Sequence, residues 1–132
     1  MKMYVIVLMM ISVLSFPQEK TKQEHMQVGG FKELRAFHDV LHPLVHESLP
    51  DNDFTTIKKS LDTLLTRATA LQKGKLPKEL AVRKEEFDRK SGELVMLLKE
   101  MVAMKDTVHD AMLEKQFNAM HETFEELAGL MR

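Results

Sequence analysis

Across residues 31–131 the apolar side chains return every three or four positions, and that period selects one kind of secondary structure. An α-helix turns once in 3.6 residues, so this spacing gathers apolar side chains into a single stripe. A half-buried strand would need strict alternation instead. The breakers agree, because 132 residues hold only 4 Pro and 5 Gly and most of these fall where a stripe ends. Gly29-Gly30 opens the first segment, whose stripe is Phe31, Leu34, Phe37, His38, Leu41 and Val45, and Leu49-Pro50 closes it. Pro43 lies inside and should bend this helix or cost it one hydrogen bond.

Asp51 and Asp53 offer caps for a second helix, where a negative charge suits the positive helix end. Its stripe is Phe54, Ile57, Leu61, Leu64, Leu65, Ala68 and Leu71, and the stretch Lys73-Gly74-Lys75-Leu76-Pro77 stops it. A third helix is expected over about 78–104, with Leu80, Phe87, Leu94, Leu97, Leu98, Met101 and Val102 inward. Glu85, Glu86, Arg89, Lys90 and Glu93 form its outer face, and Gly92 is either tolerated there or permits a close approach. The fourth helix starts near Asp106 or Asp110 and turns Leu113, Phe117, Met120, Phe124, Leu127 and Met131 inward. The methionines at 96, 101, 104, 112, 120 and 131 read first as flexible core fillers. Four amphipathic helices with short links make an all-α, up-down-up-down four-helix bundle in one domain, residues 31–132.

The charges exclude several functions. With 20 acidic and 19 basic side chains the net charge is −1, so nothing steers nucleic acid to the chain. Cysteine is absent, which removes disulfides, thiolate metal sites, a cysteine nucleophile and covalent haem. No Gly-rich phosphate loop, zinc-finger spacing or Ser-His-Asp pattern is recognisable, and the chain reads as a non-enzyme.

The start of the chain has its own grammar. Lys2 precedes an apolar run at 3–14 broken only by Ser12, and Ser15, Phe16, Pro17 and Gln18 follow it. A positive start, a short apolar stretch and a small residue near a breaker describe a secretory signal peptide, here 1–17, with Val13-Leu14-Ser15 as the cleavage signal. The run is shorter than the roughly 20 residues that span a bilayer, so no stable membrane span is expected after processing. Without a following Cys there is no lipoprotein anchor. Residues 18–30 read as a polar tether, and the protein is expected in the periplasm or outside the cell.

Six histidines carry what chemistry the sequence offers. His25 falls in the tether. His38, His42 and His46 are four apart on the first helix, and each step overshoots a full turn by roughly 40°, so the three drift slowly round one side. In an antiparallel bundle the first and last helices can be neighbours, and counting from their level ends sets His42 and His121 at matching heights. His42, His46 and His121, with His38 close by, would then meet at one seam. Imidazole suits zinc and copper. Glu47 and Glu122 are the candidate acceptors that would fix a ring tautomer. His109 joins only if the fourth helix begins before it. A methionine beside these rings, Met112 or Met120, would favour copper. The plain alternative for each histidine is an ordinary surface or boundary residue.

The segment Phe117-Asn118-Ala119-Met120-His121-Glu122-Thr123-Phe124 resembles the haem-binding end of the cytochrome c-prime and soluble b-type four-helix cytochromes. Phe117 and Met120 stand where the c-prime proteins have two cysteines, His121 where they have the haem ligand, and Phe124 where they have an aromatic. Asn118-Ala119-Met120-His121 echoes the soluble b-type segment. The resemblance implies a four-helix fold and a non-covalent haem with His121 and His38 as axial ligands. Where the b-type family has a methionine ligand near the start of the first helix, this chain has Phe37 and His38. The stretch His42-Pro43-Leu44-Val45-His46 is similar to one in exported, haem-free relatives of the same fold.

Three functions follow as expectations. The first is an exported, non-enzymatic bundle that binds zinc or copper through the histidine cluster. The second is a b-type haem electron carrier using His121 and His38. The third is a cofactor-free structural or chaperone-like bundle. A homodimer through an exposed helix face is open, although no apolar stripe outside the core requires one.

Overall fold

The computed structural model describes residues 31–132; the expected signal peptide, tether and His25 lie outside them. The described residues contain four helices and no strand. Helix α1 runs Lys32–Pro43 and passes directly into a π-helical segment, Leu44–Ser48. Helix α2 is Phe54–Lys73, α3 is Lys84–Met104 and α4 is Asp110–Gly129. Each packs along the next in sequence. The Phe37 ring stacks on Phe124 with centroids 4.8 Å apart, which closes α1 onto α4. At one end Phe31 meets Phe87 at 5.7 Å, and towards the other Lys58 on α2 reaches Asp110 at 3.8 Å. None of these helices is long and apolar enough to cross a membrane.

The core is the set of stripes the period implies, with shifts at their edges. Leu34, Phe37 and Leu41 of α1 are buried together with Leu44 and Ser48. Val45, expected inward, is only half-buried. Met101, Met120 and Met131 fill core, but Met96, Met104 and Met112 are exposed. Leu80, Leu97 and Val102 are half-buried as well. Residues 78–83 form a 3-10 segment rather than the first turns of α3, and Val82 within it is 91% exposed. Its sequence Lys-Glu-Leu-Ala-Val-Arg is good helix former, but with no core to lie on it tightens into the i→i+3 form.

The helix starts sort the candidate caps. Asp53 caps α2, accepting from Thr56 N at 3.1 Å and from Thr56 Oγ1 at 2.6 Å. The Thr56 hydroxyl and then the Thr56 amide hold its carboxyl below the usual aspartate range. This cap therefore contributes stability above the ordinary aspartate pKa and loses it as pH falls through the lowered folded value. Asp51 lies in the preceding turn, where Asn52 takes the left-handed conformation (φ 54°) that asparagine tolerates. At α4 the cap position belongs to His109, with no side-chain hydrogen bond. Asp110 is in the first turn, where its charge faces the positive end, and Asp106 lies in the link. Between helices, Lys105 reaches Asp62 at 2.8 Å and Lys90 reaches Glu126 at 2.7 Å. Each carboxylate raises the pKa of its lysine.

Two glycines make a paired prediction. A Cβ at Gly74 would sit 2.6 Å from Phe31 Cζ, and that ring is buried against Phe87. A Cβ at Gly92 would meet nothing closer than Gln72 Nε2 at 3.7 Å. Gly92 is thus not needed for helix approach. Gly92→Ala should stabilise by about 0.5–1 kcal/mol through helix entropy. Gly74→Ala should cost about 1–3 kcal/mol through overpacking. Urea unfolding of both variants checks the signs, and equal effects would contradict the close contact at Phe31.

Candidate metal centre

His38 and His42 on α1 and His46 on the π-helical segment that continues it lie in a row. The His38 and His42 ring centroids are 5.3 Å apart, and those of His42 and His46 only 4.3 Å. The difference has a cause in the backbone. Pro43 has no N–H to give Asp39, so the α-helical ladder is interrupted there. The chain continues in the wider π turn, with i→i+5 bonds from Leu49 N to Leu44 O (2.9 Å) and from Asp53 N to Ser48 O (2.8 Å). In a regular helix the step from 42 to 46 would overshoot a turn by roughly 40°. A turn holding more residues takes up that overshoot and returns His46 over His42. His42 and His46 are exposed. His38 is half-exposed, lies flat against Phe124 (centroids 6.3 Å, planes 26° apart), and has its Nδ1 4.0 Å from Asp39 Oδ1.

The stretch of chain that carries this row is acidic, with Arg35 and Lys58 at its two ends. Residues 36–57 include Asp39, Glu47, Asp51 and Asp53 and neither Lys nor Arg. All four carboxylates are exposed. Exposed imidazoles on an acidic stretch are the donor type that zinc and copper take.

His121 is placed differently. The Phe124 contacts set residue 124 of α4 level with 37–38 of α1. Counting back three residues on α4 and forward four on α1, at about 1.5 Å each, puts His121 within roughly one residue of His42 in height. Height is not convergence, however. Among the described residues no three His, Asp or Glu side chains come together as a metal-holding group. His121 turns along its own helix, with Nε2 3.1 Å from Glu125 Oε1. The expected four-histidine seam is therefore not assembled: the row at 38, 42 and 46 stands together, and His121 forms a pair with Glu125. His109 is exposed at the start of α4. Glu125 was not among the candidate acceptors, although its spacing from His121 could have revealed it. Residues four apart on a helix face one another, whereas Glu122, one residue on, points away.

Buried side chains of α1 and α4 pack the core beside His38 and His121. Phe37, Phe117 and Met120 are completely buried, Phe124 is 3% exposed, and Leu41 lies among them. The side chains of His38 and His121 are 44% and 32% exposed at the margin of this packing. Met120 points into the core rather than towards the imidazoles, and exposed Met104 has its sulfur 4.0 Å from Gln116 Nε2. No family model matches the chain, nor does any curated protein or solved structure with which it was compared. The cytochrome-like reading of 117–124 thus rests on those eight residues alone.

Proposed function

We propose that this protein is an exported, non-enzymatic bundle that binds a divalent transition metal, zinc or copper, on the His42 and His46 pair. The observation that carries this reading is the approach of those two exposed rings to 4.3 Å across the π turn. Two imidazoles on one helix edge chelate one ion, and the acidic stretch raises its local concentration. His38 is the next donor along the row, and His121, with Glu125 to orient its ring, is the donor on the neighbouring helix. A site with two protein ligands leaves coordination positions open for further donors. Export rests on Lys2, the apolar run at 3–14 and the Ser15 to Pro17 ending.

The filled interior favours a second reading, a cofactor-free structural bundle whose histidines are bystanders. Metal-free protein titrated separately with zinc, copper(II) and haemin distinguishes them. Uptake of zinc or copper by the wild type, with no Soret band from haemin, supports the metal site. A Soret band without metal uptake would replace it by the haem carrier with His121 and His38 as ligands. Neither signal would leave the structural bundle.

A further inference from the structure

We propose that the metal on His42 and His46 is shared between two copies of this chain, each giving its histidine pair to one four-coordinate ion. The inference rests on the metal-binding reading above and adds the partner. A closed zinc site is tetrahedral and takes four ligands. Here the facing pair supplies two, and among the described residues no group of three or more candidate ligands forms. Both rings are exposed on the outer edge of α1, so a second copy can approach them. A two-fold axis through the ion presents the same edge from both sides and closes the assembly at a dimer.

Charge makes the assembly conditional. Each copy brings the exposed carboxylates of Asp39, Glu47, Asp51 and Asp53 on residues 36–57, where Arg35 and Lys58 stand only at the two ends. Two such edges repel each other without an ion between them. A divalent cation at the axis offsets that repulsion, and half-buried Val45 beside it leaves little apolar area to hold two copies together without the ion. The dimer therefore exists only with metal.

Zinc chloride titration of the purified protein, followed by calorimetry and sedimentation velocity together, tests this. Saturation at half an equivalent of zinc per chain with a doubling of mass, reversed by a chelator, is the expected result. His42→Ala should abolish both, and the variant's unchanged circular dichroism would exclude misfolding as the reason. His109→Ala, at an exposed histidine outside the row, should keep both. One zinc per chain without change of mass would overturn the shared site and leave the metal reading standing. A dimer that persists in chelator would also overturn it. No uptake of zinc, and none of copper(II) in the same titration, would remove both proposals together.

Discussion

Phe124→Ala should destabilise the bundle by about 3–5 kcal/mol, the range for removing a buried aromatic ring. The ring is 3% exposed and stacks on Phe37 at 4.8 Å, with planes 29° apart. It is also the surface on which His38 lies. Helices α1 and α4 are far apart in sequence, and this aromatic contact joins the first helix to the last. Its loss removes transferred apolar area and leaves a cavity that two rigid helices cannot collapse into. Domains of this size are stable by about 5–15 kcal/mol, so the variant loses a large part of the total. Each kcal/mol lowers the Tm by about 4–8 °C in a domain near 100 residues. Urea and thermal unfolding by far-ultraviolet circular dichroism give the number, with half-buried Phe54→Ala as the comparison. A loss below about 1 kcal/mol at Phe124, or one no larger than at Phe54, would mean that α1 and α4 do not close in this way.

His42→Ala should weaken zinc binding by more than about 100-fold, since losing an outer hydrogen-bond partner alone costs about 10–100-fold at metal sites. His42 is the one ring shared by both close pairs. His46→Ala leaves the 5.3 Å pair with His38, and His38→Ala leaves the 4.3 Å pair intact. The expected order of loss is thus His42, then His46, then His38. Zinc at 100 times its Kd stabilises wild type by about 2.7 kcal/mol through linkage, and this increment should vanish in His42→Ala. The metal-free Tm should not move, because the side chain is exposed. Acid gives an independent check. Protonated imidazole has no lone pair for a metal, so affinity should fall below about pH 6. Equal effects of all three substitutions, or affinity unchanged at low pH, would contradict the row as the binding element.

The helices were legible because their signal is repetitive. One misplaced residue in a stripe of six does not hide a 3.6-residue period, so Leu61, Leu64, Ala68 and Leu71 announce α2 without help. Asp53 as a cap is equally local, since its bonds go to a residue three positions away. Less was legible wherever the competing states differ little in local energy. Residues 78–83 have helical composition, yet none of them is buried and they take the 3-10 form. Met96, Met104 and Met112 have the same side chain as Met101 and Met120, and their exposure depends on which arc of the helix meets a neighbour.

The candidate site divides in the same way. Sequence spacing alone determines that His38, His42 and His46 share one side of a helix, and that Pro43 disturbs it, because both follow from backbone geometry within a turn or two. The chain's own order also determines the bundle topology and brings His121 near the height of His42. Only the tertiary structure decided that the disturbance is a π turn drawing His46 towards His42. It also decided that Phe37, Phe117, Met120 and Phe124 occupy the space between α1 and α4. These outcomes depend on how side chains from distant parts of the chain fill one volume, and a period read along a single helix contains no information about that volume.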